Sequence, residues 1–587
     1  MSTTVQNEAR VNTLRRRSLA TASGSALMMV LAASAAYAQD NNQGNNIETV
    51  VVSSTRILTG ALDAPTPTQV VSAADIAKDG SANVFNTLVQ MPDLMGSTGT
   101  SVGTGGSSNN SDGLSTLNIR GLGTTRNLVL LDGQRVVPSA ITGFEDVSLF
   151  PQMLIQRVDV VTGGAAASWG SDAVSGVINF ILDKKFSGFK ANIQGGLTTY
   201  GDDGEGLMQM AAGTDFDHGR GHIEVSAEGY SHAGVNSLIG PRQWYHSPSS
   251  LNYGVTSTPL ANFSGTCTAA TSGQCAPEQN KENNAQPYGF AVGGIITNGA
   301  LQGTAFGAQG QPYALQYGYG VNGLQGVPSH GSGNIAAVTN CTGSFCIGGD
   351  TAAQEIGYQS LDDRLERGSF YGRVSYDLTP DMDVYATAAW SEVFTAGEPT
   401  QNFYNAVATL NIACDNAFLP AAVAAQCSAN AAIPGNAYAP TTAFPNGVMG
   451  YGAQNSSTVL TSVEVTNNRT MRRFTVGADG VLNLLGTDWT YQAYGEHGEN
   501  DTFNTNLNAI IRPYYTDAVD AVAVTSANAA SFPGIAIGNI VCRSAAARAT
   551  GCQPLNIIGT TGVSPAAKAY VQGTGNRGKV AQYPWAD

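Results

Sequence analysis

Charged residues are scarce in this 587-residue chain, where Asp, Glu, Lys and Arg together make up 12%, against about 25% in ordinary soluble proteins. Long apolar runs are also missing, because beyond the N-terminal segment no uncharged apolar stretch reaches the ~18 residues of a transmembrane helix. These two shortages exclude a charge-rich disordered chain and a bundle of transmembrane helices. Positive charge is in deficit as well, and a formal net charge of -15 argues against a nucleic-acid partner.

Glycine, by contrast, is abundant. The chain has 70 glycines and 22 tyrosines, and 42% of its residues are hydrophobic. This composition is typical of strand-and-loop proteins, a class that includes outer-membrane barrels. It argues against the four or so domains that a prior of ~150 residues per domain would suggest.

The N-terminus has the layout of a secretion signal. A basic region holds Arg10 and Arg15 to Arg17, an apolar core runs from Ala26 to Ala36, and Ala36-Tyr37-Ala38 is a small-x-small cleavage site. We therefore expect residues 1–38 to be a signal peptide that is removed on export. Export to an oxidising compartment would allow the cysteines to form disulfides.

The eight cysteines form four couples that are close in sequence: Cys267 and Cys275, Cys341 and Cys346, Cys414 and Cys427, and Cys542 and Cys552. Pairing within each couple is the economical prediction, although other connectivities remain possible. A metal site is the alternative, but zinc favours shorter Cys spacings or a nearby His, and the nearest His to any couple is His330, eleven residues from Cys341. The couples are predicted to restrain exposed loops and to have a modest role in stability.

After the predicted cleavage site the chain divides into two regions. Residues 39–56 form a polar tether that contains the β-prone hexamer Ile47–Val52, and residues 57–183 mix helix and strand signals. The predicted elements are a helix with the N-cap signal Ser72 to Asp75, a short helix from Asn83 to Met91 that stops before Pro92, a hairpin from Asn127 to Val137 around Asp132-Gly133, and strands at Arg157–Val161 and Val177–Leu182. Residues 57–183 are therefore predicted to be one small α+β domain.

Beyond Phe189 helical signals stop and alternating strands begin. Phe370, Val374 and Leu378 fall on one face of a predicted strand, and Arg373 and Asp377 fall on the other. The same alternation recurs around 384–391, 474–484 and 489–496, and more loosely at 190–200, 207–216 and 222–232. An apolar outside with a polar inside is the transmembrane-barrel pattern, and a soluble β-sandwich is the alternative. Because connections of about four residues alternate with very long ones, we favour the barrel, with periplasmic turns and extracellular loops.

Three separated motifs carry a family resemblance. They are Leu117–Gly121 with Arg126–Val136, Ile155–Gly164, and Trp169–Phe180. In this order they resemble the plug domain of TonB-dependent outer-membrane receptors. The resemblance implies an N-terminal α+β plug followed by an antiparallel all-β transmembrane barrel of about 22 strands. Only about seven to nine strands can be counted from 189 to 587, so we expect this chain to be an N-terminal portion of a longer receptor.

The resemblance also implies a function and partners. Ile47, Glu48, Thr49, Val50, Val51 and Val52 would be the TonB box, which adds as an edge strand to the periplasmic domain of TonB in the TonB-ExbB-ExbD system. The protein would lie in the outer membrane of a Gram-negative bacterium, in contact with lipid, and would import a scarce solute of the ferric siderophore, cobalamin or oligosaccharide class. The alternative is a non-transporting surface barrel with an adhesin or matrix-organising role.

Two groups of plug residues are candidates for the site. Plug–barrel contacts are predicted for Arg120, Arg126, Arg135, Arg157, Asp132 and Asp159, and substrate contacts for the loops marked by Ser97, Ser111, Ser139 and Phe144. The carboxylates and histidines are scattered, and His218 and His222 flank a glycine-rich turn rather than sharing a helix face. We therefore predict no catalytic residue, cofactor or metal site.

Overall fold

The structure is a computed structural model. It describes residues 51–52, 59–60, 67–100, 113–140, 143–235, 249–253, 279–283, 285–287, 291, 293–315, 327–328, 338–339, 345–347, 360–398, 410–452, 460–461, 463–484, 486–573, 580–582 and 585–586. The predicted signal peptide lies outside the described residues.

The N-terminal domain, meaning the described residues between 67 and 183, is a five-stranded sheet with three short helices. The strands are β1 (Thr68–Ser72), β2 (Asn127–Leu131), β3 (Gln134–Arg135), β4 (Ile155–Thr162) and β5 (Gly176–Leu182), and the helices are α1 (Ala73–Asp79), α2 (Val84–Leu88) and α3 (Ala166–Trp169). The sheet order is β1-β4-β5-β2-β3, in which β5 and β2 are parallel and the other pairs antiparallel. The predicted α+β class is confirmed.

Local sequence signals explain the ends of these elements. The Ser72 hydroxyl accepts from the backbone N–H of Asp75, whose carboxylate accepts from the Ser72 N–H, so both form a capping box at the start of α1. Asp132 and Gly133 have φ values of 54° and 75°, as the two central residues of a type I′ hairpin turn require. The helix predicted from Asn83 is capped by Asn83 but ends at Leu88, before the predicted Met91.

The core of the N-terminal domain lies between its sheet and its irregular segments. Val129, Val158 and Phe180 from three adjacent strands pack with Leu88 of α2, and all four are at most 1% exposed. The Phe150 ring meets Phe180 edge to face at a centroid distance of 4.8 Å. Ala211 and Tyr371, which belong to the following strands, complete this core.

Seven long strands follow and form one antiparallel, up-and-down sheet, called the long sheet here. They are β6 (Gly188–Gly196), β7 (Glu205–Phe216), β8 (Gly221–His232), β9 (Arg364–Thr379), β10 (Met382–Gly397), β11 (Glu464–Leu484) and β12 (Thr487–Leu507). They pair in sequence order, and Val580–Gln582 and Trp585–Ala586 pair with β12. In the described part of the chain the sheet does not close on itself, which is consistent with part of a barrel.

The two faces of the long sheet have opposite polarity. On β9 the side chains of Phe370, Val374 and Leu378 are 41% to 49% exposed, whereas Tyr371 and Arg373 are at most 5% exposed. The predicted alternation is therefore confirmed. The polar face, called the inner face below, packs against the N-terminal domain, and the apolar face is open.

Connections between the long strands alternate in length. The links β7–β8, β9–β10 and β11–β12 are the short segments 217–220, 380–381 and 485–486. The other three pairs are linked by residues 197–204, 233–363 and 398–463, of which the last two are long. The long connections all leave from one end of the sheet, called the excursion end, because antiparallel strands return to the same end every second link. This confirms the predicted alternation.

The two long connections and residues 508–573, which follow β12, contain a folded body, called the excursion body here. It includes α4 (Ala421–Ala431), α5 (Arg512–Val519), α6 (Ala545–Ala549) and α7 (Pro565–Gln572), and a sheet in the order Pro312–Ala314, Thr304–Phe306, Ile295–Ile296, Val448–Gly452 and Leu410–Ala413. The prediction that helical signals stop after Phe189 is wrong. The alanine-rich segment that was predicted to be a loop forms α4, because Ala is the best helix former and Val423, Cys427 and Ala431 supply a buried face.

Two of the predicted disulfides lie inside this body. Cys414 is bonded to Cys427, and Cys542 to Cys552. Cys414, Cys427 and Cys542 are fully buried in its apolar core, so the pairing is confirmed while the predicted exposed setting is wrong. Cys267, Cys275 and Cys341 lie outside the described residues, so the other two couples stay predictions.

The remaining elements are short. The strands are Val51–Val52, Thr59–Gly60, Ser249–Tyr253, Gln279–Asn283, Ala285–Pro287, Val327–Pro328, Val338–Thr339, Phe345–Ile347, Ala521–Ala523 and Ile540–Cys542, and the 3₁₀ turns are Pro92–Leu94, Ile119–Gly121, Thr124–Arg126, Val147–Leu149, Gln152–Leu154, Asp217–Gly219, Gly299–Leu301 and Ala529–Ser531. Every helix in the described ranges is too short or too polar to cross a membrane.

Candidate functional site

The inner face of the long sheet contains charged side chains that are almost completely buried. Arg367, Arg373, Arg469 and Arg473 are at most 5% exposed, and Glu228 is 8% exposed. Burying a charge is costly unless it is paired and hydrogen-bonded. The contacts of these side chains therefore define how the N-terminal domain sits on the sheet.

Glu228 on β8 is the first centre of this interface. Arg367 on β9 donates to its carboxylate through both Nε, at 3.1 Å, and Nη2. Gln209 on β7 donates to the same carboxylate at 2.7 Å. From the N-terminal domain, Gln152 Nε2 reaches the two carboxylate oxygens at 3.2 and 3.3 Å, while Gln152 Oε1 accepts from the backbone N–H of Val84. Gln152 thus links the start of α2 to the sheet.

Arg473 on β11 is the second centre. It pairs with Glu496 on β12 at 2.8 Å and donates to Gln134 Oε1 at 3.0 Å and to the backbone carbonyl of Arg135 at 3.4 Å. Gln134 in turn donates to the hydroxyl of Tyr385 on β10 at 2.8 Å. The β2–β3 hairpin is therefore held by side chains of β10 and β11, and Glu496 of β12 pairs with the arginine that makes these contacts.

Apolar contacts fill the space beside the two centres. Leu149 of the N-terminal domain packs with Leu365, Val393 and Met471 of the sheet. The backbone carbonyl of Pro138 accepts from the Asn500 side chain at 3.1 Å. The interface thus combines a closely packed centre with polar contacts at several separate positions.

Asp146 organises the loop that begins at Ser139. Its carboxylate accepts from the backbone N–H groups of Ser115 and Ser148 and from the Ser148 hydroxyl, at 3.1, 3.0 and 2.7 Å. The Ser139 hydroxyl accepts from the Asp146 N–H, and the Ser139 N–H donates to the Phe144 carbonyl. Burial raises the pKa of Asp146, against the opposing effect of its bonds to Ser148 and of the Arg367 charge.

The neighbouring Glu145 should make stability depend on pH. Burial raises its pKa from 4.5 to about 7, and the Asp172 charge acts in the same direction. Between pH 4.5 and about 7 the native state therefore holds a proton that the unfolded state has lost. The contribution of the neutral Glu145 carboxyl to stability is complete below pH 4.5 and is lost as pH rises through about 7. We expect Glu145→Gln to raise the unfolding free energy at pH 8 by up to about 3 kcal/mol.

Thermal unfolding of the purified chain in detergent, at pH 4 and pH 8, measures this effect. The melting temperatures of wild type and Glu145→Gln should nearly coincide at pH 4 and diverge at pH 8. An equal difference at both values would contradict the assigned protonation.

The six residues predicted to contact the sheet have defined partners. Arg120 pairs with Asp93 at 2.8 Å, Arg135 with Asp172, Arg157 with Asp159 at 3.1 Å, and Asp132 with Lys184 at 4.0 Å, while the Arg126 carbonyl accepts from Ser175. These pairs lie within residues 93–184. A role of these six side chains in seating the domain stays a prediction.

The predicted substrate loops are only partly described. Ser111 lies outside the described residues, and the Ser97 hydroxyl accepts from the backbone N–H of Asn118 at 2.9 Å. Ser139 is 3% exposed, while Phe144 is partly buried. Gly113 is the first described residue after Thr100. It lies against Thr395 and Leu365 near the excursion end, and a Cβ on it would collide with Thr395.

Only the end of the predicted TonB box is described. Val51–Val52 is a short strand, and residues 47–50 lie outside the described residues. Binding of this segment to a partner stays a prediction.

Gln134, Gln152, Glu228, Arg367 and Arg473 are not among the site residues predicted from the sequence. The alternation signal could have indicated the last three, because it assigns them to the polar face of their strands. The two glutamines had no such signal. Their importance comes only from the approach of two distant segments.

A comparison with known protein families identifies the N-terminal domain. The model of the TonB-dependent Receptor Plug Domain matches residues 60–177. This chain carries a TonB-dependent receptor plug domain. The N-terminal domain is therefore the plug, and Gln134 and Gln152 are plug residues.

Solved structures with a similar chain course include three receptors. The ferric enterobactin receptor of Pseudomonas aeruginosa is 14% identical with a TM-score of 0.33, and 81% of this chain covers 53% of that one. The siderophore receptor PiuA of Acinetobacter baumannii is 12% identical with a TM-score of 0.33, and the match covers 86% of this chain and 52% of PiuA. The ferric-catecholate import receptor Fiu of Escherichia coli is 12% identical with a TM-score of 0.32, and the match covers 76% of this chain and 51% of Fiu. The chain spans about half the length of these structures.

Proposed function

We propose that this chain belongs to a TonB-dependent transporter of the Gram-negative outer membrane, which imports a scarce solute when TonB displaces the plug. The observation that carries the proposal is the plug seated on the polar face of a sheet whose other face is apolar. A soluble sheet would turn its polar face to water. Here the polar face is covered by protein and the apolar face is open.

The open face suits lipid. Phe189, Ile193, Phe474, Val476 and Trp489 are between 52% and 76% exposed on strands that each alternate with polar inner residues. Large contiguous apolar surfaces on proteins mark interaction with a partner or a membrane. Spread over consecutive antiparallel strands, this surface matches the lipid-facing band of a barrel wall.

The contacts between the plug and the inner face of the long sheet suit a plug that must move. Both charges that the plug contacts directly already have partners within the sheet, Glu228 with Arg367 and Arg473 with Glu496. The plug adds the neutral amides of Gln152 and Gln134. Displacing it therefore breaks hydrogen bonds worth about 1 kcal/mol each without leaving an unpaired buried charge, which would cost several times more.

The energy source in this proposal is mechanical. The β-prone segment Ile47–Val52 can add as an edge strand to the periplasmic domain of TonB, which ExbB and ExbD energise, and the main-chain hydrogen bonds would transmit force to the plug. The solute belongs to the ferric siderophore, cobalamin or oligosaccharide class. It would be bound at the excursion end and released past the displaced plug.

Deleting Glu48–Val52 from the chromosomal gene tests the proposal. Growth is compared in iron-limited medium with ferric siderophores, in medium that requires cobalamin, and on single oligosaccharides. We expect growth on one class to be lost in the deletion strain. The matched control deletes Asn41–Gln43, which shortens the same polar tether, and should grow like wild type.

Two results would contradict the proposal. One is growth of the deletion strain at the wild-type rate on every class for which a complete gene knockout fails to grow. The other is loss of surface adhesion in the knockout, with adhesion retained in the deletion strain and no uptake defect in either. The second result would favour the non-transporting surface barrel.

A further inference from the structure

Three metal-ligating side chains meet at the excursion end of the long sheet. They are Asp203 from the β6–β7 connection, His232 at the end of β8, and Asp362 just before β9. One ligand atom from each lies within 4.8 Å of the others. His232 Nδ1 is 3.1 Å from Asp203 Oδ1 and 3.9 Å from Asp362 Oδ2. We call these residues the Asp-His-Asp cluster.

Backbone hydrogen bonds hold the three segments together. The N–H of Ala233 donates to the Gly204 carbonyl at 3.0 Å, and the N–H of Val235 donates to the Asp362 carbonyl at 2.7 Å. Gly234 allows the close approach, because a Cβ on it would lie 2.5 Å from the backbone nitrogen of Arg364. The positions of the ligands are therefore set by main-chain contacts on both sides of His232.

The spacing fits a bound divalent ion. Ligands at about 2.1 Å from a metal and separated by angles of roughly 90° to 135° would lie about 3.0 to 3.9 Å apart, which matches both distances from His232 Nδ1. The His232 side chain is 5% exposed, whereas those of Asp203 and Asp362 are 19% and 21% exposed. The cluster is thus rigid at its base and open to solvent at its carboxylates, which gives an ion a path of entry.

We propose that the Asp-His-Asp cluster binds one divalent transition-metal ion of the Zn²⁺ type. Asp203 Oδ1 also accepts from the Gly234 N–H at 2.8 Å, which fixes this carboxylate beside the imidazole. An imidazole nitrogen favours Zn²⁺ and related ions over Ca²⁺, which takes oxygen ligands. Three protein ligands leave at least one coordination position for water.

The bound ion would act as a clamp at the base of the first long connection. It would join the β6–β7 connection to both ends of the connection 233–363, because His232 directly precedes this connection and Asp362 is its last residue but one. Metal binding stabilises whichever state holds the preformed ligands. The ion would therefore restrain the mouth of this connection while the strands below stay unchanged.

Titration of the metal-stripped full chain with Zn²⁺ alone, in detergent and followed by calorimetry at pH 7.5, tests the site. We expect one equivalent to bind, and both His232→Gln and Asp203→Asn to weaken binding by at least ~10-fold. The matched control is His218→Gln, because His218 also lies beside an aspartate, Asp217, but is 98% exposed. This control should bind like wild type.

Direct observation of the ion keeps the test independent of variant folding. Co²⁺ added to the wild-type chain should give a visible absorption band that stoichiometric Zn²⁺ removes. Absence of any Zn²⁺ binding by wild type would overturn the proposal, as would unchanged binding by a folded His232→Gln chain. Binding of Ca²⁺ as tightly as Zn²⁺ would also overturn it, since the imidazole would then play no part.

Discussion

Replacing Arg367 with methionine should lower the unfolding free energy by about 3–5 kcal/mol, the cost of leaving one member of a buried ion pair without its partner. The side chains of Arg367 and Glu228 are 1% and 4% exposed. Methionine keeps most of the aliphatic stem but removes the guanidinium group, whose carbon lies 5.1 Å from the centroid of the Tyr230 ring. The loss would therefore report the charge together with its contact to that ring. Urea unfolding in detergent, followed by intrinsic fluorescence, measures it.

Two further variants define the origin of that loss. Arg364→Met on the same strand removes the partner of Glu366, but both side chains are almost half exposed, so little change is expected. Adding Glu228→Gln to Arg367→Met should recover at least half of the loss, because the amide keeps hydrogen bonds without a charge. A loss of under ~1 kcal/mol in Arg367→Met would contradict the buried-pair assignment.

Truncating Phe180 to alanine should destabilise the plug by about 3–5 kcal/mol. Phe180 is fully buried on β5 and meets Phe150 edge to face. Its removal leaves a cavity between the sheet and the segment that bears Gln152, so the plug should also sit less firmly on the long sheet. Limited proteolysis of the plug and the urea midpoint both measure the effect.

Val174→Ala is the matched control for this second variant. Val174 belongs to the same domain but is 54% exposed, so its truncation removes few contacts. We expect proteolysis at nearly the wild-type rate. A Phe180→Ala chain that resists protease as well as this control would show that the plug core does not depend on the aromatic pair.

Local signals predicted the plug well because they act over a few residues. The Ser72–Asp75 capping box and the Asp132-Gly133 turn were each visible in neighbouring letters of the sequence, and both are formed. The two-residue period of the long strands was equally visible and predicted which face is apolar. Helix ends were less certain, since the helix that starts after Asn83 stops at Leu88 when a second turn begins at Pro92.

The partners within the site were less predictable. Charge alone points to the arginines and aspartates of the plug, yet the described plug side chains that hydrogen-bond to Glu228 and Arg473 are Gln152 and Gln134. The secondary-structure preference of a glutamine is the same whether or not its amide contacts a buried charge, so its neighbours in the sequence do not reveal such a contact. Only the distance of its amide from a charge 76 or 339 positions away in the chain gives it a role.

The excursion body, too, depends on contacts between distant segments that local sequence does not predict. Its core joins residues from the two long connections and from residues 508–573. For example, the Tyr451 hydroxyl lies 2.9 and 2.8 Å from the carbonyl oxygens of Gly293 and Ile557 and donates its one proton between them. The segments look like alanine-rich and glycine-rich loops one at a time, because none has enough apolar surface to bury alone. Together they enclose two disulfides in a continuous core.

The sequence by itself determined the Ser72–Asp75 cap, the Asp132-Gly133 hairpin and the alternation of the long strands, and it favoured pairing within each cysteine couple, because each of these depends on residues that are near one another in the chain. The tertiary structure alone decided which side chains seat the plug, that the long connections fold together, and that Asp203, His232 and Asp362 meet. These features depend on contacts between segments far apart in sequence. Their energies arise from burial and charge pairing, which exist only after the segments have come together.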